Sequence, residues 1–188
     1  MEVDIIKFNY KGNEIEFSNG INIIIGDNGV GKTHMLKQMI KENAIDYHGK
    51  HKKVGLGVPK HITERKDFDI ISLHLKKLEF LYNDFGYIIT ENPTNGVSSK
   101  YIPILVEIFL YAERYHGKRI FISTHDYSFA KYFDILKKEE NNIAFHSLYK
   151  TENGVKCETE ERFDFLQNNI IIEEFINMYK AEIKKVME

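Results

Sequence analysis

The chain has 188 residues, a formal net charge of −2 and one cysteine, Cys157. One cysteine excludes a disulfide framework within the chain, and the charge argues against a nucleic-acid partner without excluding one. The longest apolar stretch, around residues 102–111, is too short for a membrane helix. We therefore expect one cytoplasmic domain over residues 1–188, with no membrane association.

The first forty residues predict a β-hairpin, a buried strand and a helix in succession. Strands are expected at residues 3–9 and 13–17, joined by a turn at Tyr10-Lys11-Gly12. The apolar, β-branched run at 21–25 predicts a buried strand. Apolar residues at helical spacing then predict a helix over 33–42.

The rest of the chain continues the alternation of strands and helices. Strands are predicted at residues 54–58, 87–90 and 119–123, and helices at 70–83, 102–115, ending at Gly117, and 129–134. A hairpin with strands at 143–149 and 155–159 and a helix from about 171 to 187 are expected to form an appendage over about 143–188. This order predicts an α/β fold with a mainly parallel sheet flanked by helices and antiparallel additions near both ends.

The most informative motif lies between the strand at 21–25 and the helix that follows it. Residues 26–33, GDNGVGKT, match G-x-x-x-x-G-K-[ST]. The glycines permit positive φ, so that backbone N–H groups can form an anion nest at the start of the helix. The lysine adds a charge for nucleotide phosphates, and the threonine adds a hydroxyl ligand for Mg²⁺. The predicted nucleotide-binding residues are Gly26, Asp27, Asn28, Gly29, Val30, Gly31, Lys32, Thr33 and His34.

Three segments together resemble ABC-type ATPases, the P-loop class that includes transporter ATPases and the SMC and RecF groups. Residues 17–29 place a glycine turn and a hydrophobic strand before a G-x-N-G loop, as in the SMC/RecF branch. Residues 87–98 are similar to the Walker B strand and D-loop of the family. Residues 120–126 resemble its switch strand, with His125 facing the γ-phosphate. The resemblance implies a P-loop NTPase fold that binds ATP and Mg²⁺.

Two alignments of the Walker B segment with the family remain open. In the favoured alignment, anchored by Pro93 and Thr94, Glu91 takes the Walker B aspartate position beside Mg²⁺ and Asn92 takes that of the catalytic glutamate. In the alternative, Thr90 is the Walker B residue and Glu91 is the catalytic carboxylate. The resemblance thus implies Glu91, Asn92 and His125 as catalytic residues, with Thr33 and Glu91 at the metal.

The chain also departs from the family pattern. An amide at Asn92 can orient water but cannot act as a base near neutral pH. Residues 65–72 contain no glycine pair where the family signature is expected, and Lys60 replaces the Q-loop glutamine. Little sequence is left for the helical subdomain that carries the signature, so we expect that subdomain to be reduced or absent.

Two functions are compatible with these features. One is a slow or partner-dependent ATPase, and the other is a non-hydrolysing, nucleotide-dependent switch or scaffold that regulates an effector protein, as a homodimer or a heteromer. A transporter ATPase is disfavoured because the Q-loop and helical subdomain are altered. Tyr10 falls where the family often stacks an aromatic ring on adenine, although a tyrosine of the turn is an equal alternative.

Overall fold

The computed structural model describes residues 5–41 and 87–187. The predicted strand at 54–58, the predicted helix at 70–83, Lys60 and the segment 65–72 lie outside the described residues, as does the expected site of the helical subdomain. None of the helices in the described part of the chain is long and apolar enough to cross a membrane.

The described residues alternate strands and helices as predicted. The strands are β1 (Ile6–Tyr10), β2 (Asn13–Phe17), β3 (Ile21–Gly26), β4 (Tyr87–Glu91), β5 (Arg119–Ser123), β6 (Ile143–Thr151) and β7 (Gly154–Glu160). The α-helices are α1 (Lys32–Lys41), α2 (Ile102–His116), α3 (Tyr127–Leu136) and α4 (Ile170–Met187). Short 3₁₀ helices occupy Ser99–Tyr101 and Phe163–Phe165.

A five-stranded sheet has the order β4-β5-β3-β6-β7, with β7 alone antiparallel to its neighbour. The predicted α/β fold with a mainly parallel sheet is therefore confirmed. The strand β6 differs from its expected place in an appendage. It pairs in parallel with β3 from Ile21 opposite Ile143 to Gly26 opposite Leu148, which makes it a central strand of the sheet.

Two hydrophobic clusters cover the two faces of this sheet. On one face Ile23 and Ile122 pack with residues of α2, α3 and α4, including Phe109, Phe129 and Ile171. On the other face the sheet packs against α1 and the β1–β2 hairpin, and the residues that join them include Ile24, Phe121, Met35, Tyr10 and Phe17. Because side chains alternate along a strand, neighbouring residues of β3 and β5 belong to different clusters.

Local chemistry explains where several elements begin and end. The turn between β1 and β2 consists of Lys11 and Gly12, whose φ values of 51° and 81° suit a type I′ turn. Tyr10, which the sequence places in that turn, is instead the last residue of β1. Asp126 accepts a hydrogen bond from Phe129 N and starts α3 two residues before the predicted position.

A buried polar network joins β3 to the β6–β7 hairpin. Asn22 and His146 are both fully buried. The Asn22 amide donates to the Ser18 carbonyl at 3.0 Å, and its Oδ1 accepts the Ser18 N–H at 2.8 Å. His146 Nε2 lies 3.1 Å from that same Oδ1, and its Nδ1 lies 2.9 Å from Thr159 Oγ1. The neutral tautomer with a proton on Nε2 satisfies both contacts, because the amide oxygen can only accept.

The network predicts a specific loss of stability in acid. Burial lowers the pKa of His146 to about 3, whereas an unfolded histidine titrates near 6.5. The stabilisation by neutral His146 is fully present above pH of about 6.5 and is lost progressively as the pH falls toward 3. We expect the free energy of unfolding to fall by about 2 kcal/mol between pH of about 7.5 and 5 through this residue.

Urea unfolding at a series of pH values checks this prediction. His146→Gln should remove most of the dependence of unfolding free energy on pH in this range. His116→Gln, a change at an exposed position of α2, should retain it. An equal slope in wild type and His146→Gln would show that another group controls stability in acid.

Candidate functional site

A cleft of about 350 Å³ lies where α1 begins and the central strands end. The carboxyl ends of parallel strands, next to the start of a helix, are where α/β proteins commonly bind ligands. Polar side chains and glycine backbone line the cleft. Its lining residues are Asn28, Gly29, Gly31, Lys32, Thr33, His34, Lys37, Asn92, Ser123 and His125.

The loop between β3 and α1 has the backbone that its glycines predict. Gly26, Gly29 and Gly31 have φ values of 142°, 74° and 114°, all in the range that side chains disfavour. The loop closes on itself through Val30 N, which donates to Asp27 O at 3.3 Å, and Val30 is buried beneath it. The predicted positive φ of the three glycines is therefore confirmed.

Lys32 is the first residue of α1, and its side chain points back into this loop. Its ammonium donates to Gly26 O at 2.7 Å and to Asp27 O at 3.0 Å, and the residue is 9% exposed. Burial lowers the pKa of Lys32, while the carboxylates of Asp27 and Glu91 act in the opposite direction. Because a buried cation is costly without a counter-charge, this site favours an anion at the cleft.

Tyr10 holds the loop from the side of the β1–β2 hairpin. Its ring is fully buried and its hydroxyl lies 3.1 Å from Gly31 O and 3.2 Å from His34 Nδ1. Since a carbonyl can only accept, the hydroxyl donates to Gly31 and accepts from a protonated His34 Nδ1. Of the two alternatives for Tyr10, stacking on a base is disfavoured, because the ring is fully buried.

Glu91 is the last residue of β4 and Asn92 is the first residue after it, and the two occupy different positions relative to the cleft. Ile88 belongs to the cluster under α2 and Ile89 to the cluster under α1. By alternation, Thr90 lies on the α2 face and Glu91 on the α1 face, where its charge acts on Lys32. Asn92 comes after the strand ends and lines the cleft.

The backbone at Asn92 is unusual. Its φ is +42°, a conformation that asparagine tolerates much better than glutamate does. Its N–H donates to Ser123 O at 2.8 Å, which fixes the residue against the end of β5. The backbone geometry therefore restricts the residue type at this position of the cleft lining.

His125 reaches the same cleft from the end of β5. The residue before it, Thr124, is fully buried, and its N–H donates to Ile24 O at 2.9 Å. Thr124 Oγ1 also accepts the Asp126 N–H at 3.0 Å. These contacts fix the backbone on either side of His125 while its own side chain remains exposed to the cleft.

The arrangement is compatible with Mg²⁺ beside a bound phosphate. Within residues 5–41 and 87–187, Glu91 Oε1 and Asn92 Oδ1 are buried oxygens without a hydrogen-bond partner. A buried oxygen left in that state is destabilising, which points to a ligand or water. Thr33 adds an exposed hydroxyl at the start of α1. Carboxylate and hydroxyl oxygens suit Mg²⁺, which commonly uses few protein ligands together with phosphates.

The structure brings most of the sequence-predicted residues to this cleft and adds Ser123 and Lys37. Asp27 and Gly26 contact Lys32, Val30 lies beneath the loop, and Glu91, which is not among the lining residues, acts on Lys32 through its charge. Sequence reasoning missed Ser123 and Lys37 as lining residues of the cleft. It also missed the contact between the Tyr10 hydroxyl and the loop. For Lys37 a signal existed, because it follows Thr33 by one helical turn and so shares its face. For Tyr10 none existed, since its contact joins residues far apart in the chain.

Comparison with solved structures identifies the class of fold. The structure of cbiO1 from Clostridium perfringens, part of the ABC transporter complex cbiONQ, matches with 13% identity and a TM-score of 0.51, covering 98% of this chain and 97% of that one. An inward-facing metal-chelate type ABC transporter matches with 13% identity and a TM-score of 0.50, covering 89% and 86%. No protein-family model and no curated protein matches the chain. The chain therefore has the fold of ABC-type ATPase cassettes.

Contact between Tyr10 and the loop predicts a sharp difference between two glycines. An alanine Cβ at Gly31 would lie 2.4 Å from Tyr10 Oη, whereas at Gly29 it would meet nothing within 4 Å. Gly29→Ala should lower the free energy of unfolding by roughly 1–2 kcal/mol through its backbone alone. Gly31→Ala should lower it by roughly 3 kcal/mol or more, because strain and overlap add.

Tyr10→Phe separates these two contributions in urea unfolding experiments. Alone, it should cost about 1 kcal/mol through the lost hydroxyl contacts. Combined with Gly31→Ala it should recover part of the loss, because the overlapping oxygen is gone, whereas with Gly29→Ala the costs should add. If the losses of unfolding free energy added in both double variants, the predicted overlap between a Gly31 Cβ and the Tyr10 hydroxyl would be contradicted.

Proposed function

We propose that residues 1–188 form one cytoplasmic ATP-binding domain of the ABC type that uses Mg²⁺ and hydrolyses ATP slowly or with the help of a partner. The observation that carries this proposal is the glycine loop, with Lys32 folded into it and with Asn92 and His125 in the same cleft. Phosphoryl transfer depends mainly on positioning and charge stabilisation, and the cleft offers groups for both.

The alternation of side chains along β4 supports one assignment of roles. Glu91, on the α1 face with Lys32, is proposed as the metal-side carboxylate together with Thr33. Thr90 lies on the opposite face, which argues against the alignment that makes it the Walker B residue. Mg²⁺, when bound, would neutralise charge on the phosphate oxygens. His125 is proposed to contact the γ-phosphate and Asn92 to orient water.

A second candidate function rests on Asn92 itself. An amide cannot take a proton from water near neutral pH, and loss of a general base costs on the order of 10²–10⁴ in rate. The protein would then act as a nucleotide-dependent switch or scaffold, in which ATP favours one conformation or assembly. The partner in that case is proposed to be an effector such as a nuclease or toxin, by analogy with the SMC/RecF branch that residues 17–29 resemble.

Replacement of Lys32 tests nucleotide binding in either case. Wild-type protein with Mg²⁺-ATP at about a hundredfold excess over Kd should gain about 2.7 kcal/mol in unfolding free energy. Lys32→Ala should lose most of this gain, because the charge inside the loop is removed. Lys41→Ala, which removes an exposed lysine from the far end of α1, should keep it. The measurement is thermal unfolding with and without Mg²⁺-ATP, and loss of the gain in both variants would refute the site.

Replacement of Asn92 separates hydrolysis from switching. Aspartate has nearly the same shape and also tolerates the left-handed backbone, so Asn92→Asp adds a carboxylate with little strain. If the amide limits catalysis, phosphate release by Asn92→Asp should rise by about 10² or more. Asn92→Gly keeps the backbone and removes the side chain, and should lower any basal turnover. Background release by all three proteins, with ATP-dependent stabilisation intact, would favour the switch.

A further inference from the structure

Within residues 5–41 and 87–187, the C-terminal helix α4 packs through its first turns only, and the apolar side chains of its later turns are exposed. Its first turns are held by buried Ile171 and by Phe175, which stacks on Tyr127 with ring centroids 4.3 Å apart and planes 10° apart. Every residue from Ile176 to Met187 is exposed. So short a helical segment is marginal in water without packing against something else.

Apart from Met178 and Met187, the large exposed apolar residues of α4 form a regular stripe. Beginning at Ile172, which packs partly against the core, the stripe continues through Ile176, Tyr179, Ile183 and Val186. The last four are 44%, 51%, 55% and 82% exposed. Steps of four and three residues alternate along it, which is the a/d repeat of a helix that pairs with another helix. This stripe is called the α4 seam below.

We propose that the α4 seam pairs antiparallel with the α4 seam of a second copy of this chain, without any requirement for nucleotide. Ile176 of one copy would lie opposite Tyr179 of the other, and Ile172 opposite Ile183. Antiparallel pairing of identical helices is two-fold symmetric, so the contact closes on itself as a dimer. The proposal does not depend on the proposed ATP-binding function.

The charged residues beside the α4 seam favour a second copy of this chain as the partner and an antiparallel orientation of the two helices. Glu173 and Lys180 follow Ile172 and Tyr179 on the same flank, one heptad apart. In the proposed register each Glu173 faces Lys180 of the other copy, so two opposite-charge pairs form. Because both members of each pair come from the same helix, these charges are complementary to a second copy of α4.

Other arrangements of the same two helices lack these pairs. Sliding the antiparallel register until Ile176 faces Val186 brings Lys180 against Lys180 of the other copy. A parallel pair places Lys180 beside Phe175 and leaves Glu173 without a basic neighbour across the seam. The flanking charges therefore favour the proposed register over both.

The mass of the full chain in solution tests the pairing. Light scattering coupled to gel filtration, without nucleotide and over a wide range of protein concentration, should give a wild-type mass twice that of the 22.1 kDa chain. Ile183→Asp places a charge in the seam and should give the monomer mass. Ala181→Asp adds the same charge on the opposite side of the helix and should remain dimeric.

Charge reversal tests the direction and the partner. Glu173→Lys or Lys180→Glu alone should weaken dimerisation about tenfold, because each turns two attractive pairs into repulsive ones. A mixture of the two variants should form heterodimers, and the chain that carries both changes should recover wild-type dimerisation. Circular dichroism should show an unchanged fold in every variant.

A wild-type protein that stays monomeric at all concentrations would overturn the proposal. A dimer that Ile183→Asp leaves intact would also overturn it, because the contact would then lie elsewhere. Failure of the double reversal to restore dimerisation would exclude the antiparallel register.

Discussion

The burial of β3 is the constraint on which the rest of the structure depends. This strand pairs with β5 on one side and β6 on the other, so its backbone is hydrogen-bonded along both edges. A strand surrounded in this way must be apolar on both faces, and its one polar side chain, Asn22, is satisfied by Ser18 and His146. Because β3 is hydrogen-bonded along both edges, the sheet fixes the position of the residue at which the glycine loop begins.

The loop is held from three directions, which makes it a preformed site. Lys32 bonds the loop carbonyls from α1, Tyr10 holds Gly31 from the β1–β2 hairpin, and Val30 fills the space beneath. Preorganisation of this kind lowers the cost of binding an anion, because the loop backbone is already ordered before the anion arrives. The hairpin, which looks peripheral along the chain, is thus part of the architecture of the cleft.

The β4 side of the cleft has fewer of its polar groups paired than the glycine-loop side. Glu91 and Asn92 present buried oxygens that lack partners within the described residues, whereas the loop carbonyls that face Lys32 are hydrogen-bonded. The left-handed backbone at Asn92 favours asparagine for a conformational reason. Residue choice at this position therefore reflects backbone geometry as well as chemistry, which makes aspartate a better probe there than glutamate.

The sequence by itself determined the order of elements, the sheet class and the glycine loop, because these follow from local periodicity and from residues adjacent in the chain. It predicted β6 as a strand and Tyr10 in a turn, but not the parallel pairing of β6 with β3 or the contact of Tyr10 with the loop, since both are decided by long-range packing. It left the alignment of Thr90 and Glu91 open. Adjacent side chains of a strand point to opposite faces in any case, but only the tertiary structure decided which face packs against α1 and which against α2.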